Sequence, residues 1–370
     1  MKITSMDIYE VALPMVRTFK TGFGDIKDKR EIIVKLTTSD GLTGFGESPT
    51  LEAPLYNHET TRSCLQALEH FIAPRIIGKN FETAEDFRSA YADIVGSPAA
   101  KNGAECAFWH LVAQRDNVSL KSLFGGTKSE IPVGEGVGIR PIVNEVLADV
   151  ENCLSKGFAR IKLKIQPEWD LTPLSAIRKR WPDIELMADG NSAYRFDQHK
   201  DLLVSFEQFN LSMLEQPLPA GDFVDHAALQ ALTTTPICLD ESIESLNDAR
   251  TAIRLKACKV INVKPGRVGG IVESIAIHDE AARHGIGAWV GGMLETGIGR
   301  AFNLALASKD NFTYPADMSP YELYYTDDIT EPGLLVKPNG CIDVPDTPGL
   351  GFTVREDKLK KYTQAAITVS

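Results

Sequence analysis

Several features that would point the chain elsewhere are missing. Its six cysteines (Cys64, Cys106, Cys153, Cys238, Cys258, Cys341) include no C-x-x-C pair, which leaves out the common zinc and thiol-redox spacings. Most stand among apolar residues and read as reduced core positions of a cytoplasmic protein. No apolar run is long enough to span a membrane. Met1-Lys2 leads into Ile3-Thr-Ser-Met-Asp-Ile-Tyr9, an alternating strand pattern rather than a leader peptide. There is no basic tract, and 39 Lys and Arg against 50 Asp and Glu leave a net charge of −11. Nucleic acid and membrane are therefore not expected partners. The seven histidines show no ligand spacing. What is present is ordinary for a globular chain: 370 residues, 43% hydrophobic and 24% charged, enough for a large core and one to three domains.

The pattern divides the chain in three. Residues 1–125 read as an α+β domain. Glu31-Ile-Ile-Val-Lys-Leu and Leu42-Thr-Gly-Phe-Gly-Glu47 flank the turn signal Ser39-Asp40-Gly41. Helix-spaced apolar residues follow over 60–72, 83–95 and 102–124. Residues 126–330 alternate strand and helix, which predicts parallel βαβ units and a (β/α) barrel. Its strands are expected to start near Val133, Arg160, Glu185, Leu211, Ile237, Val260, Ala288 and Asn311, with helices over 144–156, 171–180, 246–255 and 270–284. Residues 331–370 leave the alternation. They read as a hairpin turning at Asn339-Gly340 and returning to the first domain.

Within the barrel region one strand stands out, Phe158-Ala-Arg-Ile-Lys-Leu-Lys-Ile165. Ile161, Leu163 and Ile165 face one way, and Lys162 and Lys164 the other, about 7 Å apart. Taken alone, the lysines also fit an exposed edge strand. From Lys164, however, polar residues close later apolar runs at Asp189, Glu215, Asp240 and Lys264, in steps of 25, 26, 25 and 24 residues. One strand, one helix and two loops fill that length. Barrel strands end on one face, where such enzymes keep their catalytic residues. Asp189, Glu215 and Asp240 then suit a hard cation such as Mg²⁺, with Mn²⁺ a plausible substitute. Helix capping or lysine pairing is the alternative for each. A cation on a substrate carboxylate makes the α-proton removable, and a neutral lysine can take it. Lys164, nearer the strand end, is assigned as the base and Lys162 as the charge that lowers its pKa. Lys264, from the sixth strand, reaches the opposite face of a substrate.

Together, Lys162-x-Lys164, Asp189-x-Asn191, Glu215-Gln-Pro217, Asp240-Glu-Ser242 and Lys264-Pro-Gly-Arg-x-Gly-Gly270 resemble the muconate-lactonizing subgroup of the enolase superfamily, over nearly the whole chain. A Lys or His base working with Mg²⁺ is general to that superfamily. Gly291-Gly-Met-Leu-Glu-Thr-Gly-Ile-Gly-Arg300 is similar to its group of o-succinylbenzoate synthases and N-succinylamino acid racemases. The resemblance implies a modified TIM barrel with an N-terminal α+β capping domain completed by the C-terminal tail. It also implies a small carboxylate substrate, a homo-oligomer, and dehydration to an aromatic product in menaquinone biosynthesis, with racemisation or, less closely, dipeptide epimerisation as alternatives.

By position the resemblance implies Lys164 and Lys264 as the catalytic lysines, Lys162 as partner, and Asp189, Glu215 and Asp240 as metal ligands. Asn191 and Glu241 become supporting groups, or else a turn residue and a helix-start residue. Arg267 tunes Lys264 or is a solvated loop arginine. Glu295 orients Lys264 or a loop, or caps the next helix. Met293 lies at the substrate, and Phe19–Gly24 corresponds to a loop that closes over it. Three departures stand out: Trp109-His110-Leu111 where relatives carry Trp-Asp-Leu, no Asp-x-Asp after the eighth strand, where Asp317-Met318-Ser319 stands, and Gly291-Gly292-Met293 in place of histidine after the seventh.

Overall fold

The computed structural model describes every residue except 17, 22, 23, 27 and 28, and gives the backbone alone for 19–21 and 24–26. The first domain is built on an antiparallel sheet of Ile3–Leu13, Lys29–Thr38 and Thr43–Pro49. Alternation decides which side is covered: Met6, Ile8, Val11 and Leu13 are buried, while the residues between them face outward. Gly41, at φ +85, makes the turn between the second and third strands. Helix Pro98–Arg115 lies against the third strand and is buried along most of its length. Its approach is close because Gly44 and Gly46 have no side chain. A Cβ at Gly46 would sit 2.2 Å from the Gly103 carbonyl oxygen.

Of three helical expectations only the second shortens: the first helix runs past residue 72 to Ile76, and the third starts early, at Pro98. Over 60–72 the helix starts at Thr61 under a Thr60–Ser63 capping box and widens into a π turn over Ala67–Ile72. Over 83–95 only Ala84–Ser89 is helical. The stretch 102–124 is two helices, Pro98–Arg115 and Leu120–Leu123.

Eight parallel strands follow: Glu130–Val137, Arg160–Lys164, Leu186–Asp189, Leu214–Glu215, Ile237–Leu239, Val260–Val263, Gly287–Val290 and Ala316–Asp317. Each of the first six pairs with the next, and the eighth pairs with the first. The barrel is thus nearly closed. The gap between the seventh and eighth strands carries one bridge, Ala288 to Phe312, and a bond from Thr313 N–H to Ala288 O. The eighth strand starts five residues later than expected, because the segment at Asn311–Phe312 makes only that bridge. Met187, Met213, Cys238, Val260 and Trp289 fill the inside of the barrel.

The C-terminal segment departs from the expected hairpin. Gly340, at φ +76, does turn the chain, but only Cys341–Asp343 is a strand, and it pairs antiparallel with the first barrel strand. The strand that joins the first sheet is Thr363–Val369, beside Ile3–Leu13. Carboxylates of the first domain tie it to the barrel. Glu47 accepts from Thr296 N–H (2.9 Å) and Gly299 N–H (2.8 Å) at the start of helix Gly297–Ala307. Glu105 accepts from Val272 N–H (2.8 Å) at the start of helix Ile271–Arg283. No helix among the described residues is long and apolar enough to cross a membrane.

Candidate active site

Register brings the even beat together. Lys164 lies beside Asp189, and Asp189 beside Glu215. Asp240 and Lys264 follow the fifth and sixth strands directly. All five are buried, since each is the last inward residue of a strand whose other face packs on helices. Ile161, Leu163 and Ile165 are fully buried on that outer face, so the lysine-bearing strand lies inside the sheet, not at an edge. Lys162, Lys164 and Lys264 line one cavity with Tyr56, Asn191 and Met293.

Within it, ammonium groups meet carboxylates. Lys164 Nζ donates to Asp189 Oδ2 (2.5 Å), and Lys264 Nζ to Asp240 Oδ2 (2.7 Å). Lys162 Nζ bonds Asp317 and stands 3.3 Å from Glu215 and 3.8 Å from Asp189. Burial alone would lower its pKa, but Asp317, Glu215 and Asp189 outweigh burial and hold it raised. Burial likewise opposes, and Asp240 secures, a raised Lys264. Asp189 and Asp240 lie below the usual carboxylate range despite burial, the first through Lys164 and Lys162, the second through Lys264 and Arg267. Glu215 goes the other way, pushed up to about 8 by burial and by the charges of Asp189 and Asp240.

The donor set fits a hard divalent cation in kind. It has three carboxylates on adjacent strand ends, and one buried oxygen, Glu215 Oε2, has no hydrogen-bond partner. As arranged here they turn to the lysines. Among the described residues, no three His, Cys, Asp or Glu side chains stand ready to hold an ion.

The supporting residues sort as follows. Asn191 has φ +40 at the turn and donates from Nδ2 to Glu241 (3.0 Å), so it is a turn residue and a support at once. Burial, Asp240 and Asp189 push Glu241 up to about 7. Arg267 is not a solvated loop residue. It is 1% exposed, pairs with Asp240, and donates to Ile243 O (2.7 Å) and Tyr56 Oη (2.9 Å). Glu295 does not reach Lys264 and does not cap the helix. It accepts from Met293 N–H (2.9 Å) and Asn303 Nδ2 (3.0 Å), which fixes the loop that carries Met293. Thr296, Glu47 and Asp328 cap the helix instead. The backbones of residues 19–21 and 24–26 pair antiparallel. The Phe19 side chain, and closure by that loop, lie outside the described residues.

Three site residues escaped the sequence reading. Tyr56 donates to Asp240 (2.9 Å) and accepts from Lys264 (3.1 Å), although it belongs to the first domain. No local pattern marks it. Asp317 pairs with Lys162 and Arg160, so the missing Asp-x-Asp conceals an acidic group that does work on the lysine strand. Lys162 thus pairs with Asp317 as well as facing Glu215 and Asp189. Asn262 Nδ2 donates to Glu215 Oε1 (2.6 Å). A lone polar residue two before Lys264 in an apolar run was the available signal. Gly291 explains the absent histidine, because a Cβ there would meet Lys264 Cε at 2.6 Å. His110 is a structural substitution. Its Nδ1 accepts from Phe45 N–H (2.9 Å), and burial lowers its pKa to about 4.

Comparison with known proteins agrees with this architecture. Residues 3–125 match the family model for the mandelate racemase / muconate lactonizing enzyme N-terminal domain, and 145–358 the enolase C-terminal domain-like model. An o-succinylbenzoate synthase of Geobacillus kaustophilus is 43% identical over 94% of this chain and 92% of its own. An N-succinylamino acid racemase of Thermus thermophilus is 40% identical over 98% of both. A solved enolase-superfamily structure from Listeria innocua superposes with a TM-score of 0.95 at 36% identity, covering 100% of this chain and 99% of that one.

Proposed function

Because the chain belongs to the mandelate racemase and muconate lactonizing enzyme family of the enolase superfamily, we propose that it is an o-succinylbenzoate synthase, which removes an α-proton and a hydroxide from a cyclohexadiene carboxylate to leave an aromatic ring for menaquinone synthesis. The activity comes from relatives so named. The observation that carries it to this chain is that Lys164 and Lys264, from the second and sixth strands, line one cavity and are each bonded to a buried carboxylate.

Asp189, Glu215 and Asp240 would hold Mg²⁺ or Mn²⁺, which would draw electron density from the substrate carboxylate and acidify the neighbouring C–H. Lys164, as the neutral amine, takes that proton. It then gives the proton to the departing hydroxide, so the net change is loss of one water. Lys264 keeps its proton beside Asp240 and sets its positive charge against the other face of the substrate ring. Tyr56 and Arg267 hold Asp240, and through it Lys264, in place.

A second reading, racemisation of N-succinylamino acids, is favoured by the same pair of opposed lysines and by racemases among the relatives. There Lys164 and Lys264 exchange roles as acid and base. The test offers both substrates to the purified protein with Mg²⁺, following aromatic absorbance and optical rotation. Dehydration that stops under a chelator supports the first reading, and racemisation without dehydration supports the second. Absence of both, with no α-deuterium uptake from D₂O, contradicts each.

A further inference from the structure

The cavity reaches a basic group that the proposed chemistry does not use. Arg300 lies in the first turn of helix Gly297–Ala307, lines the cavity, and is only 4% exposed. A guanidinium carries five N–H donors in a fixed fork, and those the protein does not meet are left to whatever occupies the cavity. No hydrogen bond joins this guanidinium to any described residue. Its ion-pair partner Asp328 stands 3.9 Å away. The Asp328 carboxylate accepts instead from Gly297 N–H (3.0 Å) and Ile329 N–H (2.7 Å).

Neighbouring charges are engaged. Lys29 donates to Thr50 O (2.5 Å) and pairs with Glu31 (2.9 Å). Glu47 and Glu295 accept from backbone or side-chain N–H groups. Lys162, Lys164 and Lys264 hold carboxylates. Among the described cations lining the cavity, Arg300 alone has a side chain without a hydrogen bond. Leu51, Met293 and Leu294 line the same cavity, which suits an apolar linker.

We propose that Arg300 binds the distal carboxylate of a dicarboxylic substrate, two N–H groups of its fork meeting the two oxygens. The choice of the reacting end, beside Lys164 and Lys264, rests on the proposed function. The Arg300 contact itself does not need turnover. A planar fork matches a carboxylate in a way an ammonium does not. The ligand is an acid whose second carboxylate lies across an apolar linker, not a monoacid with a neutral tail.

The experiment compares two probes by calorimetry in the presence of Mg²⁺: N-succinyl-L-phenylglycine and the same molecule with its succinyl carboxylate converted to the amide. Wild type is expected to bind the dicarboxylate about ten- to a hundredfold more tightly, the scale of a hydrogen bond to a charged group. In Arg300→Gln that preference should fall to about threefold or less. Arg300→Lys, which keeps charge and loses the fork, should lie between. Equal affinity of wild type for the two probes, or no binding of either, overturns the proposal. So does weakening of both probes alike in Arg300→Gln, which would make Arg300 a packing residue. If Arg300→Gln does not fold, a preference in Arg300→Lys equal to that of wild type overturns it. α-Deuterium uptake is measured separately. Its absence alongside an Arg300-dependent preference removes the proposed reaction and leaves this contact standing.

Discussion

At the scale of single residues, the site is a set of buried charges that neutralise one another. Tyr56 shows how far this depends on neutral neighbours. Its hydroxyl touches Asp240, Lys264 and Arg267, while its ring lies 4.8 Å from Lys264 Nζ. Tyr56→Phe keeps the ring and removes three charge-assisted bonds. We predict a loss of about ten- to a hundredfold in kcat/KM, with little change in Tm, because Arg267 still holds Asp240. Steady-state kinetics and calorimetric melting check it. A drop in Tm that tracks the loss of rate would make Tyr56 a folding residue. Lys164, Asp189, Glu215, Asp240 and Lys264 were legible because each closes a strand at an even step. Tyr56 was not, because it reaches the site across domains from a loop without periodicity. Asp317 was hidden by a strand only two residues long.

At the scale of elements, packing against helix Pro98–Arg115 and capping of the barrel helices seat the first domain. Gly46→Ala would push a methyl into the Gly103 carbonyl and the Ala107 amide, 2.2 and 2.4 Å away. The strand and helix must separate, so we predict a loss of about 2–3 kcal/mol or more in denaturant unfolding. A loss under 0.5 kcal/mol would show that the two elements yield freely. Glu105 gives a pH signature. Burial pushes its carboxyl up to about 7, against about 4.3 in an unfolded chain. Below the lower value both states are protonated and nothing is lost. As pH rises, the unfolded chain ionises first, so this group's contribution to stability declines until about pH 7. The size is about 3–4 kcal/mol. Glu105→Gln should remove that decline, and Tm from pH 4.5 to 8 should fall less steeply than in wild type. Parallel curves would refute the role. The hydrophobic beat marked these elements well over 171–180 and 246–255, where the helices match the expected spans. It failed at the eighth strand and the tail, where pairing is set by distant partners such as the first barrel strand.

At the scale of the whole molecule, the barrel joins residues 100 positions apart, Lys164 and Lys264, in one cavity, and the first domain adds Tyr56. In the proposed reaction these two lysines divide the labour: Lys164 moves the proton, and Lys264 serves as a charge in dehydration and as a second base in racemisation. Arginine keeps the charge but stays protonated, so it supplies no base. The most direct measurement is turnover of both substrates by Lys264→Arg and Lys164→Arg, with circular dichroism confirming the fold. Lys264→Arg is predicted to lose racemisation to background and keep measurable dehydration, while Lys164→Arg loses both. Dehydration at wild-type rate in Lys164→Arg, or its complete loss in Lys264→Arg with substrate affinity unchanged, would contradict the account.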